Sequence, residues 1–414
     1  MLGSCIESEF QFIQRIIKEI SSTKLDRTQL FVAKHPVGID SRAEAIELLL
    51  DTKSNDVRMV GIYGLGGVGK TTIAKAVYNR IFYRFERSYF LENVREQLGT
   101  DDGIIKMQEK LLSKIIGDKN LKVDNIAKGI KLTMDMLCHI RILLILDDVD
   151  ELSQIENLLG KCNWLASGSR VIITTRDTQV LTTLGKELLI YEVKKLNRCE
   201  ACELLSLHAF QLNKPKEDYS KIVEQIIHYA NGLPLALKII GSDLCGKSIC
   251  EWESALEKYK SIPHKKILEK LKISYDALEK IEKDIFLNIA CFFKGFQKDY
   301  VVNILDSCNL FPDYGIQKLI DKCLITVDEF GKLLMHDLLQ QMGREVIQQE
   351  SEEPRNRSRI WCYKDAYEVL TRNMVQVLSL YSSFFLIIFC LKFQNCYTFG
   401  NYNMKLDSLY TLFN

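Results

Sequence analysis

The sequence predicts an α/β fold, a parallel sheet covered by helices on both faces, followed by a helical domain and a small winged-helix domain. Three observations lead there. Between residues 37 and 190, short apolar runs alternate with stretches of helical periodicity, as in a parallel sheet with helical crossovers. From about 195 to 300 the pattern turns helical. Near 324–335, LITVDEFGKLLM reads as strand, turn, strand, and the helical stretch Leu338 to Ile347 follows it.

Taken in order, strands are expected near 57–63, 88–92, 141–146, 170–175 and 188–193. Ile142 to Leu146 is an unbroken apolar run, as a strand buried on both faces requires. Behind the first strand, Ile73, Val77 and Ile81 recur every four residues and mark one face of a helix. Pro234, Pro263 and Pro312 punctuate the helical region as starts and breaks. No repeat of solenoid period is present. Near the N-terminus, residues 11–20 (QFIQRIIKEI) have the pattern of an amphipathic helix, and Met1 to Phe10 lacks the apolar core of a secretory signal. Met374 to Leu391 is nearly long enough to span a bilayer, although it holds Gln376 and three serines. An aromatic- and Asn-rich tail without periodicity comes after it.

Composition sets broad bounds. A chain of 414 residues is expected to hold two or three domains. The hydrophobic fraction of 47% and charged fraction of 26% are those of an ordinary globular protein. A net charge of +1 gives no global field that would point to nucleic acid or acidic lipid. The 13 cysteines are scattered and odd in number, which fits reduced thiols and an intracellular location better than a disulfide framework. Cys199 and Cys202 form a lone C-x-x-C in a helical pattern with no second pair at zinc spacing, so a structural role is expected.

The chemistry is concentrated in VRMVGIYGLGGVGKTT, residues 57–72. Gly64, Gly69, Lys70 and Thr71 fit G-x-x-x-x-G-K-[ST], with a strand before and a helix after, the context a phosphate loop needs. Glycines let backbone N–H groups curl around phosphate oxygens, and the helix N-terminus adds a favourable dipole. Lys70 is expected to reach the phosphates and Thr71 to hold Mg²⁺. Gly66, Gly67, Val68 and Thr72 complete the candidate loop. Gly64, Gly66 and Gly69 also match G-x-G-x-x-G, which raises a dinucleotide fold as a rival. That rival needs an acid about 20 positions on, ending a second strand; Glu86 and Glu92 lie near there without such a setting. Lys70-Thr71 therefore favours an α/β P-loop NTPase domain.

The second piece is RILLILDDVD, residues 141–150. An acid at the carboxyl end of a central strand can meet Mg²⁺ beside the phosphates. Asp147 is the metal candidate, and Asp148 is placed to orient or activate a water. The opposing reading is a strand ending in a solvated acidic turn.

The ordered motifs resemble the NB-ARC domain of plant intracellular immune receptors, the nucleotide-binding leucine-rich-repeat proteins. The resemblance runs from about His35 to Leu370. It rests on HPVGIDSR, GLGGVGKTT, FERSYFLENVRE, LLILDDVD, GSRVIITTRD, NGLPLAL, FLNIACFFKG and MHDLLQQMGREVI. The wording of FLENVRE, FLNIACFF and LDDVD resembles the subclass that carries an N-terminal TIR domain. The resemblance implies ADP, ATP and Mg²⁺ as cofactors and a cytoplasmic or nuclear location. It implies that Arg176 senses the γ-phosphate, that Pro234 packs near the adenine and that Val37 lines the base pocket. It also implies that His336 touches the β-phosphate of ADP. Read without the resemblance, Arg176 is a strand-end arginine able to answer a phosphate or form a surface ion pair. Pro234 is equally a helix-start proline, and His336 a structural histidine.

The expected organisation is a leader helix left from a TIR-type N-terminus (1–36), a phosphate-loop domain (37–193) and a helical domain (194–262). A winged helix (263–350), a connector (351–373) and an aberrant apolar tail (374–414) follow. Without a TIR domain, NAD⁺ cleavage is not expected, and the leucine-rich repeats are missing too. The function expected is an ADP/ATP switch in plant defence signalling, with hydrolysis at most slow. A homo-oligomer, or pairing with full-length receptors as a truncated regulatory adaptor, is the expected mode of partnership. A faster ATPase and a winged-helix DNA-binding regulator are the rivals. The region 267–347 is mixed in charge without a dense basic stripe, which counts against nucleic acid. Membrane association would have to come through 374–391.

Overall fold

The computed structural model describes residues 28–116, 121–160, 164–185 and 188–371. The expected helix at 11–20 and the apolar segment 374–391 lie outside the described residues. The chain divides into two compact units. One runs to Ala277 and includes Gln317–Ile325; the other comprises Leu278–Ile316 and the chain from Thr326 onward.

The first unit opens with residues 28–37, which carry no helix, and then helix α1 (Ile39–Leu50). There follow β1 (Arg58–Tyr63), α2 (Lys70–Ile81), β2 (Arg87–Leu91), α3 (Val94–Gln97), α4 (Asp101–Ile116) and α5 (Ile126–Leu137). Next come β3 (Ile142–Val149), α6 (Leu152–Leu159), β4 (Arg170–Thr175), α7 (Thr178–Leu184) and β5 (Leu189–Glu192). The five strands are all parallel, in the order β2-β3-β4-β1-β5. All five expected strands are present. β3 runs past Leu146 to Val149, through a register shift against β4 that sits at Asp147 and Asp148.

Burial explains the apolar runs. Leu143 to Leu146 and Val171 to Ile173 are all fully buried. Ile73, Val77 and Ile81 of α2 are at most 1% exposed, so the helical face seen in the sequence is the one that covers the sheet. The core also takes in charged residues, Arg170 among them. Arg170, at the start of β4, has no exposed surface, and its guanidinium donates to the carbonyls of Leu50, Asp51, Ser54 and Asp56.

Helices α8 (Arg198–Phe210), α9 (Ser220–Ala230), α10 (Pro234–Leu244), α11 (Ile249–Ser261) and α12 (Lys265–Asp276) continue this unit. Asn197 with Glu200, and Ser248 with Glu251, form reciprocal capping boxes that start α8 and α11. Pro234 occupies the first turn of α10, where its missing N–H costs nothing. Trp252 is fully buried, donates to the Leu244 carbonyl and stacks on Phe210.

The second unit begins with α13 (Lys280–Asn288), whose last turn widens into a π-helical turn at Ile289–Phe293. Then come α14 (Lys298–Asp306), α15 (Pro312–Asp321, whose C-terminal half belongs to the first unit), and strands β6 (Thr326–Val327) and β7 (Leu333–Leu334). The strands pair antiparallel, Thr326 with Leu334 and Val327 with Leu333, and Asp328 ties the turn by accepting from Phe330 and Lys332. Helices α16 (Asp337–Gln348) and α17 (Tyr363–Thr371) close the unit. A methyl added at Gly343 of α16 would come within 2.7 Å of Ala290, so glycine permits the close packing of α16 on the π-helical turn. Helices followed by a hairpin and a further helix form the winged-helix arrangement that the sequence led us to expect.

Candidate functional site

The site forms at the carboxyl ends of β1, β3 and β4, where strand order departs from chain order and open parallel sheets bind ligands. The loop Gly64–Gly69 leaves β1 and ends as the N-cap of α2. Gly64, Gly67 and Gly69 have φ of +147°, +82° and +108°, a region that L side chains rarely enter. An added Cβ at Gly69 would meet nothing within 4 Å, whereas at Gly67 it would strike Leu235 at 2.7 Å. Leu235 N–H donates to the Gly67 carbonyl at 3.2 Å, so the start of α10 supports the loop from outside. Val68 is buried and its N–H closes a turn onto Leu65. Thr72 is half-buried on the first turn of α2.

Lys70 folds back along this loop. Its Nζ donates to the carbonyls of Gly64 at 2.7 Å and Leu65 at 3.2 Å. Burial, aided by the positive charge of Arg176, pushes its ammonium down to about 8. A buried ammonium with so little water gains strongly from an anion beside it. Thr71 donates its hydroxyl to Asp147, and Thr174 of β4 donates to the same carboxylate at 2.6 Å. Asp147 is 1% exposed; burial raises its carboxyl above the usual range, against the pull of those two hydroxyls. The bulge in β3 gives Asp148 a φ of +59° and sends its side chain elsewhere. Its carboxylate receives Arg95 Nη2 at 2.7 Å on one oxygen and Arg176 Nε at 3.3 Å on the other. Arg176 also donates to the Lys270 carbonyl at 3.1 Å and lies against Gly66.

These residues suit a nucleotide with a divalent cation. The loop offers backbone N–H groups with open space at Gly69, Lys70 offers a charge-starved ammonium, and Thr71 with Asp147 offers two hard oxygen donors. Among the described residues no cluster of three or more His, Cys, Asp or Glu could hold a metal by itself. A carboxylate with a neighbouring hydroxyl, as Asp147 with Thr71, is the kind of donor set that holds Mg²⁺ when phosphates supply the rest.

Residues 40–215 match the family model described as the NB-ARC domain. This chain carries an NB-ARC domain. Residues 279–351 match a second model, the winged-helix domain of Roq1-like disease resistance proteins. Over 360 residues the chain is 46% identical to disease resistance protein RUN1 of Vitis rotundifolia, covering 86% of this chain and 27% of that one. It is 39% identical to TMV resistance protein N of Nicotiana glutinosa over 381 residues, 90% of this chain and 32% of that one. The chain thus spans about a quarter to a third of the length of these relatives. The fold is similar to that of a Walker-type ATPase of Pyrococcus abyssi, at 14% identity with a TM-score of 0.52, over 76% of this chain and all of that one.

Within the NB-ARC domain the structure gathers Gly64 to Thr72, Asp147, Asp148 and Arg176 at one place. Pro234 is half-buried, one residue before the Leu235 that touches the loop. Val37 is half-buried just ahead of α1. His336 belongs to the second unit, where it is buried as the N-cap of α16. Its Nδ1 accepts from Leu338 N–H at 3.2 Å, which leaves the proton of the neutral ring on Nε2. Sequence reasoning gave no role to Arg95 or Thr174, whose partners lie 53 and 27 residues away in the chain. It also gave none to Lys322, which pairs with Asp177 at 3.0 Å with both side chains largely buried. Among the described residues no helix is long and apolar enough to cross a membrane. Cys199 and Cys202 carry free thiols at the start of α8.

Proposed function

We propose that this chain is an adenine-nucleotide switch: Mg²⁺-bound ADP holds its resting state, and exchange for ATP releases it. The observation that carries this reading is Lys70, buried and held by loop carbonyls, beside a Thr71–Asp147 pair. That arrangement favours a bound phosphate more than rapid chemistry. Asp148 is engaged by two arginines, and a carboxylate so occupied is a poor acceptor for a water proton. With Arg95 still on Asp148 once Arg176 turns to a phosphate, this supports a slow hydrolysis that resets the switch. A switch of this kind works only through unequal affinity of its two states for the nucleotide. Val37 and Pro234 would serve the base, His336 the β-phosphate through its Nε2 proton, and Arg176 the γ-phosphate. When bound, Mg²⁺ would supply charge neutralisation between the phosphates, held by Thr71 and Asp147.

The relatives that bear the name of disease resistance proteins support a place in plant defence signalling. Assembly with further copies, or with longer receptors, belongs to the same reading. The test is the nucleotide that accompanies the purified protein, released by denaturation and identified by chromatography. Near-stoichiometric ADP in the wild type and none in Lys70→Ala is the expected result. Labelled ADP bound equally well by both proteins would refute the proposal.

A further inference from the structure

The carboxylate of Asp148 is held from two sides, and the two arginines are not equivalent. Arg95 comes from the short helix α3 and makes the shorter contact, 2.7 Å against 3.3 Å. Arg176 also holds the Lys270 carbonyl and already touches the phosphate loop: a methyl at Gly66 would sit 2.9 Å from its guanidinium. Arg176 is thus the arginine that an incoming phosphate draws away, and Arg95 is the one that stays. Around them runs a cleft whose charged lining is Arg95, Arg176 and Lys322 against Asp148, Asp150 and Asp177. Three cations balance three anions there, so the cleft has no positive charge in reserve. Once Arg176 turns to a phosphate, Asp148 is a negative charge facing another unless Arg95 keeps it neutralised. The Nε of Arg95 is buried with no hydrogen-bond partner among the described residues, so this guanidinium still has a donor to give.

We infer that Arg95 is a positioning residue that decides between di- and triphosphate: it holds and neutralises Asp148 so that the site tolerates a terminal γ-phosphate. This inference rests on the nucleotide-switch reading above. Arg95 acts through Asp148, so its effect falls on the triphosphate and disappears when Asp148 carries no charge.

The test is calorimetric titration of the full chain with ADP and with a non-hydrolysable ATP analogue, both with Mg²⁺. Arg95→Gln should weaken the analogue by about tenfold while ADP changes less than about twofold, the size expected for one uncompensated charge near the protein surface. Arg95→Lys should stay close to wild type. Arg95→Gln combined with Asp148→Asn should recover the analogue's affinity, because the acid that needed neutralising is gone. Asp148→Asn alone should raise the preference for the analogue over ADP, a measurement that stands even if Arg95→Gln folds poorly. Equal weakening of both ligands in Arg95→Gln, or no recovery in the double variant, would overturn the inference while leaving the switch intact. A wild-type chain that binds neither ligand would overturn the switch reading and this inference with it.

Discussion

The hydroxyl of Thr71 reaches both carboxylate oxygens of Asp147, at 2.9 and 3.1 Å, and so ties the first turn of α2 to the end of β3 across 76 residues of chain. Asp147 is buried, and among the described residues its carboxylate accepts from the neutral hydroxyls of Thr71 and Thr174. The Lys70 ammonium acts on this carboxylate without bonding to it, so a divalent cation bound directly to it would add most of its compensation. Asp147→Asn should therefore remove the Mg²⁺ dependence of nucleotide affinity, a loss of roughly 10–100-fold measured in the presence of the metal. Titrations with and without Mg²⁺ give the comparison. An unchanged ratio between them would show that the metal is held elsewhere.

Two glycines of the loop separate backbone strain from packing. Gly69→Ala meets only the cost of its left-handed φ, whereas Gly67→Ala adds a collision with Leu235. Both should cost about 1–3 kcal/mol from conformation, with Gly67→Ala the more damaging. Urea unfolding of the nucleotide-free proteins measures the difference, and equal midpoints would mean that α10 yields freely to the loop.

His336 has two separable duties. His336→Ala loses the cap of α16, worth about 1 kcal/mol, and on the proposed function also speeds ADP release. His336→Asn restores a capping oxygen but not the Nε2 proton. Release of a fluorescent ADP should be fast in both variants, while only the alanine variant melts early. Slow release from the asparagine variant would reduce His336 to a capping residue.

His208 provides a pH signature. Its imidazolium is pushed down to about 4, first by burial and then by His35, whose ring packs edge-on at 4.8 Å. The unfolded chain takes up this proton near the ordinary histidine value of 6.5 and the native chain only near 4. Stability from this group is therefore complete above about 6.5 and is lost as pH falls from there towards 4. His208→Gln should flatten that decline, read as the change in urea midpoint between pH 7 and pH 5. An identical decline in the variant would place the acid sensitivity at another group.

Much of this was legible because the chemistry is local in sequence. The phosphate loop, the strand before it and the helix after it occupy one continuous stretch, and the buried strands announce themselves as unbroken apolar runs. Asp147 and Asp148 were visible as a strand-end pair, but their division of labour was not. It depends on a bulge that turns one acid towards Thr71 and the other towards the arginines. Arg95 sits within FLENVRE and looks like a surface residue of a short helix; its meaning lies in a partner 53 residues on. Arg170 begins a strand and gives no sign in the sequence of its complete burial. Long-range pairing of charged groups leaves no periodicity to read.

That buried arginine changes how the segment after α1 should be regarded. DTKSNDV, residues 51–57, has the composition of a pliant surface turn and carries the exposed Lys53. Arg170 grips its carbonyls on both sides of that lysine, and Arg141 holds the Thr52 carbonyl at 2.7 Å while Arg84 holds its hydroxyl at 2.6 Å. To a protease, which must draw several residues out into an extended form before cutting, this turn is accessible but not available. The link between α1 and the first strand is rigid, although its sequence suggests a flexible turn.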